Sequence, residues 1–421
     1  MDKLLIKNGR LIDPKNKIND ILDLYVENGK IKEINKEISK NSKDIEVIDA
    51  KGLIVVPGLI DMHVHFRVPG NRQKEDLISG SKAALKGGVT SVATMPNTNP
   101  VVDNRVILDK YLDLIKKESL INIYPIVSVT YNQDGKKIVD FDKLNKDAVA
   151  FSDDGMPIMN GNILKKALEK LPKDAAIISH CEDFEITKNY KDKPWPKKAE
   201  YKMVKRNIDI LDNLKKALHI AHISCKKSLD YIKEAKANNK NVSCEITPHH
   251  FSFSTDDIDP LDSYSKVNPP IRDIEQKNYL IDGIKENNID VIASDHAPHS
   301  FESKNNKEYK DASYGISGIE IMFQLAYNNL VLKENISLEK IISMLTYKPA
   351  NLLNIDKGSI SVGDDADIAI IDLESYEKIN RNEFLSKGKN HPLKECELKS
   401  KIIYTIVDGK IKYKEGKIYE Y

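Results

Sequence analysis

Short apolar runs alternate with amphipathic stretches through the middle of the 421-residue chain. Eight runs have the continuous hydrophobicity of buried parallel strands, namely Ile60–His65, Thr90–Met95, Asn122–Val129, Ala148–Ser152, Ala175–His180, Ala217–His222, Val242–Thr247 and Asp290–Ser294. Helical periodicity marks stretches between them, such as Asp76–Lys86, Arg105–Lys117, Ile163–Lys170, Lys226–Ala237 and Gln276–Glu286. This alternation predicts an α/β fold of the (β/α)8 TIM-type barrel class. A doubly wound open sheet is the alternative, although it usually has fewer strands, and the first strand lacks a following glycine-rich dinucleotide loop.

The two ends of the chain have a different pattern, with short strands joined by tight turns. Strand candidates are Leu4–Asn8, Leu22–Glu27, Lys30–Ile34, Ala366–Leu373, Ile402–Val407 and Lys410–Tyr413. Asn28-Gly29 and Asp408-Gly409 are hairpin-turn signals between them. We therefore predict a small β-sandwich domain built from both termini, residues 1–56 and 352–421, around a barrel domain of residues 57–351.

The first barrel strand leads into a His-x-His pair. We interpret Leu53–Ile60 as one buried strand with Pro57-Gly58 inside it, so that His63 and His65 follow at its end. Because alternate residues of a strand point the same way, the two imidazoles would project together, which suits a divalent metal such as zinc. Arg67, one strand step farther on, adds a cation and favours an anionic substrate.

Polar clusters also follow the other apolar runs, where a barrel enzyme builds its active site. They are Pro96–Thr98, Ser152–Gly155, His180–Asp183, His222–Ser224, Thr247–His250 and Ser294–His299. Together with His63 and His65, these clusters contain eight of the ten histidines, all except His219 and His391. Histidines scattered at random over a surface would not sort in this way, so the clusters predict one shared site.

The clustered side chains form a mixed histidine and carboxylate set. Its members are His63, His65, His180, His222, one aspartate of Asp153-Asp154, and Asp295. Four imidazoles exceed the needs of one zinc ion with an open position, so we predict two ions bridged by a carboxylate, as in two-metal hydrolases. A metal-activated hydroxide needs a nearby proton acceptor, and we assign that role to Asp295 on the last strand.

Composition narrows the class of protein. Hydrophobic residues make up 40% of the chain, charged residues 31%, and the net charge is +1, which gives no indication of a nucleic-acid partner. No apolar run is long enough to span a bilayer or to form a signal peptide, and four cysteines do not make a disulfide framework. We expect a cytoplasmic enzyme.

Motifs along nearly the whole chain resemble those of class I dihydroorotases in the amidohydrolase superfamily. They are Pro57–Arg67, Met95–Thr98, Asp153–Gly155, His180–Glu182, His222–Ser224, Glu245–His250, Lys266–Arg272, Asp295–His299 and Gly315–Glu320. Some positions depart from the pattern: Val68 replaces a glutamate that is usual after the arginine, and an acidic residue is common near Arg72. The change at Val68 puts a surface contact of that loop in doubt.

The resemblance implies a role for each matching residue. His63 and His65 would bind one metal, His180 and His222 the second, and Asp154 would bridge them where other members of the superfamily often use a carboxylated lysine. Asp295 would be both metal ligand and general base. Substrate contacts would come from His65, Arg67, Asn97, Asn268, His299, Tyr314 and Gly315. His249 and His250 are expected to be core or supporting residues rather than ligands.

The resemblance also implies two zinc ions per subunit, N-carbamoyl-L-aspartate and dihydroorotate as substrates, a homodimer, and possible association with aspartate carbamoyltransferase. A hydantoinase, dihydropyrimidinase or allantoinase is an alternative, but Arg67 and Asp154 argue against it. A catalytically silent scaffold is a third alternative, and such a protein should have lost metal ligands. The irregular segment Phe301–Ser313 is either a mobile cover over the site or an idle surface loop.

Overall fold

The structure, a computed structural model, describes residues 3–40, 43–212 and 214–420. Its strands are β1 Lys3–Asp13, β2 Ile18–Glu27, β3 Lys30–Asn35, β4 Glu46–Asp49, β5 Ile54–Pro57, β6 Leu59–Val64, β7 Val89–Thr94, β8 Asn122–Val127, β9 Ala150–Ser152, β10 Ala176–Ser179, β11 Ala217–Ile220, β12 Val242–Ile246, β13 Val291–Ile292, β14 Ile368–Asn380, β15 Glu395–Val407, β16 Lys410–Lys414 and β17 Lys417–Ile418. Its α-helices are α1 Leu77–Lys86, α2 Arg105–Glu118, α3 Phe141–Leu144, α4 Gly161–Lys170, α5 Phe184–Thr187, α6 Lys198–Ile210, α7 Lys226–Ala237, α8 Pro248–Ser252, α9 Ile274–Lys285, α10 Met322–Ala326, α11 Leu338–Leu345 and α12 Tyr347–Leu353.

Strands β6 to β13 form the predicted barrel. They pair in sequence order, and every pair is parallel. The first and last strands meet just beyond their ends, where the backbone N–H of His65 donates to the carbonyl of His296 at 2.9 Å. Small and aliphatic side chains such as Met62, Ala93 and Ile178 pack together as one buried cluster of barrel-strand residues. The barrel prediction is confirmed.

The remaining strands form a second sheet in which the two ends of the chain interleave. Its order is β17-β16-β15-β14-β5-β1-β2-β3, with β4 paired to β1. Strand β14, from the C-terminal part, lies antiparallel to β5, from the N-terminal part. The prediction that both termini build one separate β unit is confirmed. The division into residues 1–56 with 352–421 and residues 57–351 stays a prediction, and residues 1, 2, 41, 42, 213 and 421 of it lie outside the described part.

The run Leu53–Ile60 is not one strand, and this prediction was wrong. Strand β5 ends at Pro57 in the terminal sheet, and β6 begins at Leu59 in the barrel. At Gly58 the chain passes from the terminal sheet into the barrel, and the Gly58 N–H donates to the Asp367 carbonyl at 2.8 Å. A Cβ atom at Gly58 would lie 2.1 Å from Thr90 Oγ1, so only glycine fits where the two sheets approach each other.

Among the described residues, no helix is both long and apolar enough to cross a membrane.

The close approach at Gly58 generates a stability prediction. Gly58→Ala should lower the free energy of unfolding by about 1–3 kcal/mol, because the added methyl group must displace the buried Thr90 side chain. Urea denaturation measures this. Gly161→Ala is the matched control, since its Cβ would meet only ordinary contacts at 3.4 Å and 3.7 Å. Equal unfolding midpoints for Gly58→Ala and wild type would contradict the steric argument.

Candidate active site

Six side chains converge at the carboxyl ends of the barrel strands. His63 is in β6 and His65 follows it, while Asp154, His180, His222 and Asp295 lie within three residues of the ends of β9, β10, β11 and β13. All six are buried. The strand ends of a closed parallel barrel face one shared space, which is why residues 230 positions apart can lie in contact, as His65 and Asp295 do.

The Asp154 carboxylate lies at the centre of this group. Its oxygens are 3.5 Å from His63 Nε2, 3.5 Å from His65 Nε2, 3.7 Å from His180 Nδ1 and 3.6 Å from His222 Nε2. Each histidine thus turns one ring nitrogen toward the same carboxylate.

Asp153 points away from this centre. Its carboxylate accepts hydrogen bonds from Ser128 Oγ at 2.6 Å, Val129 N at 2.8 Å and Thr130 N at 3.1 Å, all in the segment after β8. Of the two adjacent aspartates, only Asp154 therefore faces the histidines.

Asp295 forms the other wall of the site. Its Oδ1 lies 3.0 Å from His65 Nε2 and 3.5 Å from His63 Nε2. The backbone is left-handed at Asp295 (φ 47°), His222 (φ 29°) and Arg67 (φ 59°). Non-glycine residues rarely adopt this conformation, and such strain concentrates at functional sites.

The electrostatics of the group favour a cation. Burial alone would raise the pKa of Asp154, but His63 and the other imidazoles hold it well below its usual value. Burial alone would lower the pKa of His63, but the carboxylates of Glu245, Asp154 and Asp295 raise it well above its usual value. Carboxylates that stay ionised in the interior need a positive charge among them, either a proton or a metal ion.

Two buried atoms at the centre lack a hydrogen-bond partner among the described residues. They are His63 Nε2 and Asp154 Oδ1, which face each other. Two groups of three residues each bring their possible ligand atoms within 4.8 Å of one another. One group is His63, Asp154 and His222, and the other is His63, His65 and Asp295. Imidazole nitrogen and carboxylate oxygen are the donors that zinc and related ions bind, so the residues fit a metal centre.

Two glutamates support the histidines from outside, and sequence analysis assigned them no role. Glu245 Oε1 lies 2.6 Å from His63 Nδ1, and Glu182 Oε2 lies 3.0 Å from His180 Nε2. A signal for Glu245 was present, because it is a charged residue inside the apolar run of β12. Glu182 stands in the motif that begins at His180.

A cavity of about 250 Å³ opens beside the histidines and aspartates. Its lining includes every residue predicted to contact substrate: His65, Arg67, Asn97, Asn268, His299, Tyr314 and Gly315. Gly315 has φ 139°, and a Cβ atom there would lie 2.6 Å from the Ala297 carbonyl oxygen. The Gly315 backbone therefore packs directly against Ala297, and the position has no room for a side chain.

Arg67 and His299 form the basic side of the cavity. Arg67 Nη2 lies 3.3 Å from His299 Nε2, and Arg67 Nε donates to the Pro298 carbonyl at 3.3 Å. Burial lowers the pKa of Arg67 to about 10, so it stays charged at neutral pH. Burial, then Arg67 and Lys74, lower the pKa of His299 to about 2, so its ring is neutral.

The two predicted substrate amides are also tied to the metal-site histidines. Asn97 Oδ1 lies 2.8 Å from His65 Nδ1. Asn268 Nδ2 donates to Glu182 at 3.3 Å, and its Oδ1 accepts from Trp195 Nε1 at 2.8 Å. A ligand that binds these amides would therefore lie against groups that orient His65 and His180.

The segment Phe301–Ser313 is anchored through buried residues, and its role as a cover over the site stays a prediction. Lys304 is 1% exposed, and its Nζ donates to the carbonyls of Ser263 and Lys266, each at 2.8 Å. Lys266 Nζ in turn donates to the Tyr309 carbonyl at 2.5 Å. Burial and then the neighbouring Lys266 lower the pKa of Lys304 to about 7.

Three remaining positions are core residues. His250 bonds Thr247 Oγ1 at 2.7 Å and the Pro269 carbonyl at 3.0 Å, and burial lowers its pKa to about 3. His249 is buried beside it, with ring centres 4.5 Å apart. Val68, which put a surface contact of its loop in doubt, is 2% exposed and packs in the main hydrophobic core.

The chain matches the Amidohydrolase family over residues 54–412 and belongs to that family. Its relatives include proteins named dihydroorotase. The one from Acetivibrio thermocellus is 37% identical over 98% of this chain and 99% of the relative. Those from Geobacter metallireducens and Aquifex aeolicus are each 39% identical, covering 98% and 99% of this chain and 99% and 100% of the relatives, respectively.

Solved structures with the same fold carry hydantoinase and dihydropyrimidinase names. L-hydantoinase (dihydropyrimidinase) from Arthrobacter aurescens has a TM-score of 0.89 at 25% identity, covering 100% of this chain and 98% of that one. Dihydropyrimidinase from Brevibacillus agri has a TM-score of 0.88 at 21% identity, covering 99% and 96%, and this likeness shows the fold alone.

The orientation of the adjacent aspartates generates a metal-binding prediction. Asp154→Asn should lose most bound metal, because it removes the charge at the centre of the four histidines. Asp153→Asn should keep metal and lose stability instead, since its partners are backbone and hydroxyl groups outside the centre. Elemental analysis and thermal melting of both variants measure this. Loss of metal in Asp153→Asn with retention in Asp154→Asn would reverse the assignment.

Proposed function

We propose that this chain is a dihydroorotase, which catalyses the reversible cyclisation of N-carbamoyl-L-aspartate to (S)-dihydroorotate and water in pyrimidine biosynthesis. The observation that carries the proposal is the pairing of a half-buried Arg67 with the histidine–aspartate group in one small cavity. Full-length identity of 37–39% to dihydroorotases supports it.

We propose that the site holds two zinc ions. His63 and His65 would bind one ion, His180 and His222 the other, Asp154 would bridge them, and Asp295 would complete the set. When bound, zinc supplies Lewis-acid activation of the amide carbonyl and of water. The unpartnered His63 Nε2 and Asp154 Oδ1 support this assignment.

Substrate orientation is the role proposed for the basic side of the cavity. The Arg67 guanidinium, with Asn97 and His299, would bind the carboxylate that dihydroorotate carries outside its reacting amide. A planar guanidinium matches a carboxylate with two parallel hydrogen bonds. Asn268, Tyr314 and Gly315 would contact the ring, which places the amide against the metal-site residues.

Proton transfer is the role proposed for Asp295. In ring opening, its carboxylate would take the proton from the attacking water and pass it to the leaving amide nitrogen. In ring closure, it would take the proton from the carbamoyl nitrogen and pass it to the departing hydroxide, which leaves as water. Burial alone would raise the pKa of Asp295, but His63 and His65 lower it below its usual value, so the carboxylate is ionised and able to accept a proton.

A hydantoinase-type activity is the second candidate, favoured by the likeness to L-hydantoinase. Arg67 would have no carboxylate to bind on an unsubstituted hydantoin or dihydrouracil ring. Turnover of dihydroorotate, hydantoin and dihydrouracil should therefore be compared, with loss of activity in chelator and recovery on adding zinc. Turnover of hydantoin but not dihydroorotate would replace the proposal with the second candidate. The homodimer, the association with aspartate carbamoyltransferase and the cytoplasmic location stay predictions.

Arg67→Ala should lower kcat/KM for dihydroorotate roughly 10- to 150-fold, the equivalent of a charge-assisted bond of about 1.5–3 kcal/mol. Steady-state kinetics measure this. Arg72→Ala is the matched control, because Arg72 pairs at the surface with Glu118 at 2.9 Å and should leave kcat/KM unchanged. Normal turnover of dihydroorotate by Arg67→Ala would contradict the assigned substrate class.

Asp295→Asn should lower kcat in both directions by about 10²- to 10⁴-fold, because one group serves both proton transfers. The comparison is made with metal restored to wild-type content. Asp290→Asn is the control on the same chain segment, since Asp290 bonds Lys236 and the Cys244 N–H instead of the metal-site histidines. A fall of only a few-fold in Asp295→Asn, in either direction, would remove Asp295 from the mechanism.

A further inference from the structure

We propose that Glu245 is a positioning residue that holds the two halves of the metal centre together; this inference rests on the metal centre proposed above. Glu245 lies in β12, is fully buried, and makes three contacts with residues in or just after β6 and β11. Its Oε1 is 2.6 Å from His63 Nδ1 and 3.1 Å from the His222 backbone nitrogen, and its Oε2 is 3.1 Å from His219 Nε2.

The first contact selects the tautomer of His63. An ionised carboxylate only accepts hydrogen bonds, so the proton of a neutral His63 ring lies on Nδ1. The lone pair is then on Nε2, which faces Asp154 and Asp295 and has no partner among the described residues. Glu245 thereby leaves Nε2 of a neutral His63 available as a metal ligand. The Nδ1 proton already bonds Glu245, so the ring needs no second proton.

The second contact restrains His222. Its backbone has φ 29°, and its N–H donates to the same oxygen that bonds His63. That conformation turns the His222 ring toward Asp154, at 3.6 Å. One carboxylate oxygen therefore bonds residues that the proposed assignment gives to different metal ions.

The third contact holds Glu245 itself. His219 Nε2 donates to Oε2, and His219 Nδ1 lies 2.8 Å from Ser243 Oγ, so a neutral His219 has both ring nitrogens bonded. His219 was one of the two histidines outside the polar clusters, and this contact explains its burial. A carboxylate bonded on both oxygens has little freedom to leave His63.

Glu182 provides the contrast. It bonds His180 Nε2 and Asn268 Nδ2, and among the four metal-site histidines it contacts His180. Changing Glu182 should therefore weaken one half of the centre, whereas changing Glu245 should weaken both.

The experiment measures metal affinity directly. Glu245→Gln keeps the volume and removes the charge, and metal-free protein is titrated with Zn²⁺ against a chromophoric chelator. We expect both equivalents of zinc to bind about 10- to 100-fold more weakly than in wild type. In Glu182→Gln we expect one equivalent to weaken. Glu320→Gln is the matched control, because Glu320 is also buried but bonds the Ser386 N–H and Lys86 away from the centre, and its zinc affinity should be unchanged.

A second measurement does not depend on a variant folding. In wild-type protein loaded with ¹¹³Cd²⁺ and ¹⁵N-labelled histidine, we expect cadmium coupling to Nε2 of His63 and a proton on its Nδ1. Coupling to Nδ1 would overturn the inference.

The outcomes separate this inference from the proposed function. Unchanged zinc affinity in Glu245→Gln, in a wild type that binds two ions, overturns the role of Glu245 alone. Loss of a single equivalent overturns its role in joining the two halves. A wild type that binds no metal overturns the proposed centre and this inference together.

Discussion

The burial of Asp154 among four imidazoles is the constraint on which the rest of the site depends. A carboxylate with ring nitrogens at 3.5 to 3.7 Å, in an interior shared with Asp295, is stable only when a positive charge lies among these groups. The barrel meets this demand by bringing separate strand ends to one point. The same closed geometry leaves little space, so any ligand in the cavity must lie against the charged centre.

The residues around the centre convert this constraint into a fixed geometry. Asn97, Glu182 and Glu245 each bond a histidine from outside, so the rings cannot turn freely. The left-handed backbone at His222 and Asp295 costs conformational free energy, which these contacts and the surrounding core offset. The amides of Asn97 and Asn268, which line the cavity, thus belong to one polar network with His65 and His180.

Much of this arrangement could be predicted from the sequence, for identifiable reasons. Continuous apolar runs bounded by polar clusters are typical of buried parallel strands, and strand ends of a barrel converge, so the meeting of the histidines with Asp154 and Asp295 could be predicted. The break between β5 and β6 at Gly58 could not be predicted from the sequence. Both strands are buried, and hydrophobicity does not distinguish which sheet a buried strand joins. Asp153 and Asp154 are chemically identical neighbours, and what separates them is the distant Ser128 and Thr130 region. Lys304 lies in a polar segment whose composition predicts exposure. It is buried because its ammonium group donates to the carbonyls of Ser263 and Lys266, which are distant in sequence.

The passage from β5 to β6 through Gly58 has a consequence for how the protein is made. Residues 54–57 pair on one side with β1 and on the other with residues 368–371 of β14. During synthesis, β6 with His63 leaves the ribosome early. Strand β5, which precedes β6, keeps one unpaired edge until β14 has emerged, when almost the whole chain has been made. An open apolar edge is a site of wrong association. A nascent or C-terminally shortened chain therefore carries the metal-site histidines on an unfinished support, although none of them lies near the missing end.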